Sequence, residues 1–402
     1  MTKTFNPFDA EQAHSSWSLL ADLRRESAVV EIGDGMAYVT RHDACRRLLR
    51  DTAAFSSAQG FKAPGVVVPL EDRTLGELDP PNHTLVRRVM VTALTPKSVR
   101  AAEPYIEAKA KDLLDAFPAS GDSQSRQTDL VPAFTIPLPN ASTVHLLGFP
   151  AEDAPKTMAW AKDLIESGFP ATHRNRQGVE GFAAGFPEFA QYIDDRIDER
   201  RTNPKDDVTT RLLELEVDGR RLTPRQLRAM VRNLITGGLT TTSQLLGNLL
   251  HQLFTVPGLE DRLRNDPDAL PRAIEESLRL APPVMFIPRG CVHDTEVDAN
   301  TLHAGQRVVM GTACANRDET VFPNGDDFDV DRDNVTDHLT FGYGPHFCPG
   351  APMARVVARI GVTAFLHRFP KGTVRLTDGF EYENVPAFFE TGPARLTVEI
   401  TA

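Results

Sequence analysis

The sequence has few cysteines, few tryptophans and no long apolar run. Its four cysteines lie far apart and show no CxxC spacing, which excludes a disulfide framework and a structural zinc site. No uncharged apolar stretch reaches the length of about 18 residues that a membrane span needs. The N-terminus also lacks the apolar core of a secretory signal. We therefore expect a cytoplasmic protein without membrane association.

Positive charge is not in excess either. The formal net charge is −11, which argues against nucleic acid as a partner. The sequence shows no internal repeat, no low-complexity linker and no sharp change in composition. At 402 residues, it can bury a sizeable core. We expect one continuous α+β domain over residues 1–402.

Hydrophobic periodicity divides that domain into helix-rich and strand-rich parts. Helices are predicted over about 82–282 and 351–370, and strands over about 28–40, 284–312 and 372–402. The longest helix is predicted to begin at Thr223 and Pro224, a good N-cap followed by a good first residue. Between Asp51 and Leu78 the pattern loses its period, which indicates an irregular loop.

The most informative string is FGYGPHFCPG, residues 341–350, which places Cys348 among glycines immediately before an amphipathic helix. Free N–H groups at the helix N-terminus would lower the pKa of the Cys348 thiol and suit a metal-bound thiolate. An isolated cysteine in such a turn is more often a small buried hydrophobe. The residues around Cys348 therefore decide its interpretation.

This string resembles the haem-binding loop of the cytochrome P-450 family, with Phe341, Gly342, His346, Cys348 and Gly350 in register. The resemblance implies haem b as cofactor, Cys348 as the iron ligand, and Phe341 packed beside the sulfur. It also implies a mainly helical α+β fold with a long central helix over the haem and a smaller strand-rich part.

Other motifs follow the family's order. Glu276 and Arg279 in EESLRL share one helix face, although such a pair alone is usually an exposed ion pair of small effect. With NRD and FDVDR downstream, they resemble the family's buried Glu-Arg-Arg network, completed here by Arg332. The resemblance further implies that His83, Arg87, Arg289 and His346, with His338 as a further contact, bind the haem propionates. Each of these cations alone could be an ordinary surface charge.

The string LITGGLTTTS interrupts the long helix with Gly237, Gly238 and three threonines. Tight helix packing or a kink would explain it structurally. The resemblance places it on the oxygen side of the haem, with a widened turn that admits water. Gly238 would then allow close approach of oxygen, and Thr241 would hydrogen-bond it.

Thr240 departs from the family pattern, which has Asp or Glu before that threonine. We interpret the departure as a relay of protons through Thr240, Thr241, Thr242 and water, with lowered coupling of electrons to product. Supply by the substrate, or use of peroxide, are the alternatives.

The implied activity is hydroxylation of a lipophilic small molecule with one oxygen atom of O2. The chain has no flavin or nicotinamide motif, so electrons would come from a ferredoxin and its reductase. The ferredoxin would dock on basic residues: Arg87, Arg88, Lys97, Arg100, Arg355 and Arg359. The implied substrate contacts are Phe61, Val67, Leu234, Leu239, Val284, Phe286, Ile287, Phe388 and Phe389.

Two other classes of function stay open at this stage. A peroxide-driven peroxygenase or a non-oxygenating haem-thiolate enzyme would tolerate Thr240, and a haem-based sensor would need only the haem contacts. Thr241 and its flanking glycines favour the monooxygenase, because a sensor has no need of that alcohol.

Overall fold

A computed structural model describes residues 5–62, 68–117, 126–168, 181–387 and 389–401 of the chain. The α-helices in these ranges are α1 Ala10–Ser15, α2 Trp17–Glu26, α3 His42–Arg50, α4 Ser57–Gly60, α5 Asn82–Ala93, α6 Pro96–Asp115, α7 Pro137–Leu146, α8 Ala154–Gly168, α9 Phe182–Gly185, α10 Pro187–Thr202, α11 Val208–Glu214, α12 Pro224–Thr255, α13 Leu259–Asn265, α14 Ala269–Leu280, α15 Thr312–Ala315 and α16 Ala351–Arg368. The strands are β1 Val29–Ile32, β2 Met36–Val39, β3 Phe55–Ser56, β4 Arg126–Asp129, β5 Ile287–Cys291, β6 Thr295–Val297, β7 Asn300–Leu302, β8 Arg307–Met310, β9 Val374–Leu376 and β10 Thr397–Ile400. This mainly helical fold agrees with the expected fold class.

The largest sheet joins the beginning of the chain to the strands that follow α14. Its order is β1-β2-β8-β5-β3, with β2 and β8 parallel and the other neighbours antiparallel. A second sheet has the order β4-β10-β9, and β6 and β7 form a hairpin. The sequence analysis missed β4, because it lies within a helical region and pairs with β10 near the end of the chain.

The long helix α12 begins where the sequence predicts. Thr223 and Gln226 form a capping box, each side chain bonding the backbone N–H of the other, and Pro224 occupies the first turn. These contacts satisfy N–H groups that the helix itself leaves free. The helix packs against α7, α8, α14 and α16, so it runs through the centre of the molecule.

Helices α12 and α16 approach closely at Gly361. A Cβ atom there would lie 3.0 Å from Leu246 Cδ1 and 3.2 Å from Leu138 Cδ2. Because α16 follows directly after residues 341–350, this packing fixes the cysteine loop relative to α12. Within the described ranges, no helix combines the length and the apolar character that a bilayer span requires.

The Leu246→Ala substitution should reveal how far the fold depends on this contact. Leu246 is fully buried, so removing its side chain should lower the free energy of unfolding by about 2–5 kcal/mol. Leu70→Ala is the matched control, since Leu70 is 50% exposed and its loss should cost about 0.5 kcal/mol or less. Denaturant unfolding of both variants measures the difference. Equal losses would contradict the assignment of Leu246 to the core.

Candidate haem-thiolate site

The cysteine loop reverses direction within a few residues. Gly342 and Gly344 have φ angles of +72° and +74°, a region that residues with a Cβ atom rarely occupy. At Gly344 a Cβ atom would also lie 2.9 Å from Arg50 Cα. The Cys348 N–H donates to the Phe341 carbonyl at 2.9 Å. The glycines thus allow a tight loop that holds Cys348 beside Phe341.

The Cys348 thiol is half-buried and faces a cavity of about 310 Å³, which we call the Cys348 cavity. Burial raises the pKa of this thiol, while the N–H groups of Gly350 and Ala351 at the start of α16 and the positive charges of Arg87 and Arg355 act in the opposite direction. The expectation of a lowered pKa is therefore wrong for the protein alone. Desolvation of the thiolate outweighs the helix terminus.

Phe341 lies next to this cysteine and is covered by a cation. The Arg355 guanidinium lies 4.7 Å from the Phe341 ring centroid, and the Phe347 ring lies 6.1 Å away. Phe341 and Cys348 line the same cavity.

His338 does not join the expected propionate contacts. Its Nε2 lies 3.2 Å from Glu275 Oε2, and Arg355 bonds both oxygens of that carboxylate at 2.7 Å. Burial opposes ionisation of Glu275, but the hydrogen bonds from Arg355 and His338 outweigh it and lower its pKa to about 2. The prediction for His338 is corrected because this carboxylate engages its ring. Sequence reasoning missed Glu275, although it stands beside Glu276 in EESLRL.

The other four predicted propionate contacts converge. The rings of His83 and His346 are 3.9 Å apart, and His346 Nε2 lies 3.2 Å from Ser57 Oγ. Arg87 donates to the Phe347 carbonyl at 2.8 Å. Arg289 is buried, and its Nη1 donates to the Pro288 carbonyl at 2.8 Å. Helix α5, strand β5 and the cysteine loop thus contribute to one basic group, which Ser57 of helix α4 also contacts.

These groups destabilise one another's positive charge. Burial, followed by the charge of Arg87, lowers the pKa of His83 to about 4. Burial and the charges of Arg289, His83 and Arg87 lower the pKa of His346 to about 2. Burial also lowers the pKa of Arg289 to about 10. Such a group favours a bound anion, because an anion would offset both the repulsion and the desolvation.

The site fits haem on two observations. The His83 Nε2 atom is buried without a hydrogen-bond partner, and within the described ranges Arg289 forms no ion pair. Two propionate carboxylates would satisfy both. The Cys348 sulfur faces the same cavity as Arg289 and His346, so one ligand could contact all three.

A buried ion-pair network lies behind the cysteine loop. Glu276 contacts Arg279 at 2.7 Å and Arg332 at 3.2 Å, and Glu276 and Arg279 are fully buried. Arg279 also donates to the carbonyl groups of Asn316 and Gly325. The structure therefore brings together the three residues that the motifs EESLRL and FDVDR indicated.

The middle of α12 forms the opposite wall of the Cys348 cavity. The helix is continuous here, and Thr241 Oγ1 donates to the Gly237 carbonyl at 2.8 Å. The expectation of a widened turn is therefore corrected. Gly238 lines the cavity, and a Cβ atom there would lie 2.9 Å from Thr143 Oγ1. Close packing against α7 thus also requires glycine at this position.

Thr240 has a partner that the sequence did not suggest. Its Oγ1 donates to Glu390 Oε1 at 2.7 Å, across 150 positions of the chain. Gln244 Nε2 lies 3.4 Å from the other Glu390 oxygen. A carboxyl group therefore lies beside the helix position at which the family usually carries an acid.

A second cavity of about 270 Å³, which we call the Glu390 cavity, adjoins this contact. The predicted substrate residues Phe61, Val284, Phe286, Ile287 and Phe389 line it, whereas Leu234 lines the Cys348 cavity. Leu239 is fully buried in a core cluster, which corrects its assignment to the substrate pocket. The positions of Val67 and Phe388 lie outside the described residues.

The lining of the Glu390 cavity is more polar than the sequence indicated. Besides its apolar wall, it includes Lys62, Glu77, Arg232, Asn233 and Glu390. Lys62 Nζ lies 2.9 Å from Glu77 Oε1, and Arg232 lies 4.0 Å from Glu77. The cavity thus joins an apolar wall to two separate polar regions, one around Glu77 and the other at Glu390.

Cys348, the basic residues Arg289 and His346, and Thr241 on the facing helix thus line one cavity, as a haem-thiolate site requires. The chain belongs to the cytochrome P-450 family, whose family pattern matches residues 29–379. It is a cytochrome P-450 monooxygenase, and its cofactor is haem b.

Relatives and solved structures of this family align with nearly the whole chain. Erythromycin C-12 hydroxylase of Saccharopolyspora erythraea is 33% identical over 92% of this chain and 90% of its own length. The structure of a cytochrome P-450 from Chondromyces apiculatus has a TM-score of 0.86 and 29% identity, covering 100% and 99% of the two chains. A cytochrome P-450 from Bacillus megaterium, solved in complex with testosterone, has a TM-score of 0.81 and 26% identity, covering 99% and 100%.

The Glu276→Ala substitution should strongly destabilise the protein. It leaves the buried guanidinium groups of Arg279 and Arg332 without their shared carboxylate, which should cost about 3–5 kcal/mol. Asp218→Ala is the control, because Asp218 pairs with Arg88 while 71% exposed, and such pairs contribute about 0–1 kcal/mol. Denaturant unfolding measures both. A similar small effect at the two positions would show that the network contributes little to stability.

Proposed function

We propose that this monooxygenase hydroxylates a lipophilic small molecule bound in the Glu390 cavity, with electrons from a ferredoxin. The observation that carries the proposal is the boundary between the two cavities. Five residues line both of them: Phe61, Asn233, Gly237, Thr241 and Ile287. A molecule in the Glu390 cavity would therefore meet the cofactor chamber at Thr241.

In this proposal, different residues around the Cys348 cavity ligate the iron and bind the propionates. Haem bound there supplies the iron that activates O2, with the Cys348 thiolate as its ligand. His83, Arg87, Arg289 and His346 neutralise the propionates and fix the orientation of the macrocycle. The protein's remaining share is to orient the substrate, exclude water and move protons.

Thr241 holds a hydroxyl group at the boundary where oxygen and substrate would meet. This hydroxyl is fixed because it donates its proton to the Gly237 carbonyl. Its oxygen keeps its lone pairs and can still accept a hydrogen bond from water or another donor. The Thr241 hydroxyl thus offers a defined position for a proton on the side of α12 that faces Cys348.

The substrate class follows from the walls of the Glu390 cavity. Phe61, Val284, Phe286, Ile287 and Phe389 favour an apolar skeleton, and the polar regions favour one or two oxygen functions on it. The Bacillus megaterium relative was solved with testosterone, a compound of this character. We therefore propose polycyclic or macrocyclic lipophiles as substrates, with testosterone as the first compound to assay.

The ferredoxin proposal depends on a smaller basic surface than the sequence suggested. Arg88, Arg355 and Arg359 pair with Asp218, Glu275 and Glu103. Lys97 and Arg100 are exposed at the start of α6. Phe347, next to Cys348, is 39% exposed. We propose that an acidic ferredoxin docks over Phe347 and is attracted by Lys97 and Arg100.

The Cys348→Ala substitution tests the site, because it removes the proposed iron ligand. The reduced protein with carbon monoxide should show the long-wavelength Soret band of thiolate ligation, and the variant should lose it. Product from testosterone with NADH, ferredoxin and reductase would support the monooxygenase, and the variant should make none. Product from hydrogen peroxide alone, with none from O2, would instead favour a peroxygenase. A histidine-type band in the wild type would exclude thiolate ligation.

Charge reversal at Lys97 and Arg100 tests the docking surface. The double substitution K97E/R100E should slow reduction by a ferredoxin about 10-fold or more at low salt, because electrostatic steering contributes about 10–10³ to association rates. Stopped-flow reduction under carbon monoxide measures this rate. Arg220→Glu is the control, since Arg220 is exposed in the turn before α12. An equal effect of both changes, or none, would move the docking site elsewhere.

A further inference from the structure

Glu390 is a buried carboxyl group whose backbone is fixed on two sides. The Met285 N–H donates to the Phe389 carbonyl at 2.9 Å, and the Thr391 N–H donates to the Pro283 carbonyl at 3.2 Å. Asn248 of α12 donates to the Thr391 carbonyl at 3.0 Å. The residues on either side of Glu390 are thus anchored, and its side chain is directed towards α12 with little freedom.

The contact of this carboxyl group with Thr240 can carry a proton in either direction. The Thr240 Oγ1–Glu390 Oε1 distance of 2.7 Å suits a hydroxyl donating to a carboxylate and equally a carboxylic acid donating to a hydroxyl. Thr240 and Thr241 both line the Glu390 cavity, on its α12 side. A single water held between these two side chains, beside a bound substrate, would complete a path from Glu390 to Thr241.

We propose that Glu390 supplies the acid that position 240 lacks and, through the Thr240 hydroxyl, delivers protons to the Thr241 side of the cavity. This inference rests on the proposed monooxygenase function. In each transfer the Glu390 carboxyl proton passes to the Thr240 oxygen while the Thr240 hydroxyl proton moves to the water beside Thr241. The Glu390 carboxylate left behind regains a proton from solvent, to which 5% of the residue is exposed. Glu390 is a positioning residue, since it acts through Thr240.

The electrostatic surroundings favour the protonated form of Glu390. Burial raises its pKa, and the hydrogen bonds from Thr240 and Gln244 oppose that shift only in part. The charged groups that share the cavity lining with it are Lys62, Glu77 and Arg232. Lys62 and Arg232 are nearest to Glu77, so their positive charge is engaged there. Glu390 can therefore hold a proton until Thr240 accepts it.

The experiment compares the haem-loaded wild type with Glu390→Gln, with Glu383→Gln as control because Glu383 is exposed in the same C-terminal segment. The first readout does not depend on activity. Infrared spectroscopy with ¹³C-labelled glutamate should show a buried carboxylic acid band that persists to higher pH than the band of an exposed glutamic acid and that E390Q alone removes. Loss of the band in both variants, or in neither, would overturn the proposal.

Thermal unfolding against pH gives a second readout of the same proton. The ordinary pKa of a glutamic acid is 4.5, and the folded protein raises the pKa of Glu390 above that value. Between these two pKa values the unfolded chain has lost the proton that the folded protein still binds, so the free energy of unfolding falls as the pH rises through this range. Wild type should therefore lose stability relative to E390Q over this range. A difference that does not change with pH would assign Glu390 a structural role only.

The third readout is the fate of electrons in turnover with testosterone, O2 and ferredoxin. E390Q should lower the rate of product formation about 100-fold, the lower end of the contribution of a general acid, and should direct more of the NADH consumed to hydrogen peroxide. Adding Thr240→Asp to E390Q should restore coupling, because it returns an acid to the helix. Unchanged coupling in E390Q, or failure of the second substitution to rescue it, would overturn the proposal. Absence of product in the wild type would count against the proposed substrate, and the infrared band would then decide the role of Glu390.

Discussion

The shared carboxylate of Glu276 is the interaction on which the cysteine loop depends. Arg279 is held by Glu276 and donates to the Asn316 carbonyl at 2.8 Å. The Asn316 side chain in turn accepts the Leu339 N–H at 2.7 Å and donates to Thr340 Oγ1 at 2.9 Å. These two residues lead directly into Phe341. A buried charge pair thus determines where the loop that carries Cys348 begins.

The basic group across the cavity differs from this network, because none of its four members forms an ion pair within the described ranges. Burial lowers the pKa values of His83, Arg87, Arg289 and His346, and repulsion by neighbouring cations lowers those of the two histidines further. In the Glu276 network the protein's own side chains neutralise the buried charges, whereas the basic group needs an anion from outside the protein. The contrast separates a structural ion-pair network from a ligand site within the same fold.

Local sequence patterns predicted most of the fold, and the resemblance to the cytochrome P-450 family indicated much of the site. The cap at Thr223, the cysteine loop and the residues Glu276, Arg279 and Arg332 could be found because each motif is short or has a fixed order. His338 was assigned wrongly because the Glu275 carboxylate engages its ring. Leu239 was assigned wrongly because the sequence alone does not show which face of α12 borders the cavity. The single-domain organisation stays a prediction. Glu390 could not be found at all, since its contact with Thr240 spans 150 positions.

Because the acid lies on the C-terminal segment and not on α12, it belongs to the same segment as Phe389 in the cavity wall. An acid at position 240 would belong to α12 and would move only with that helix. Glu390 instead follows Phe389, which lines the Glu390 cavity, and its two neighbours Phe389 and Thr391 are fixed to Met285 and Pro283 by backbone hydrogen bonds. The wall that contacts the substrate and the carboxyl group that contacts Thr240 are therefore one piece of structure.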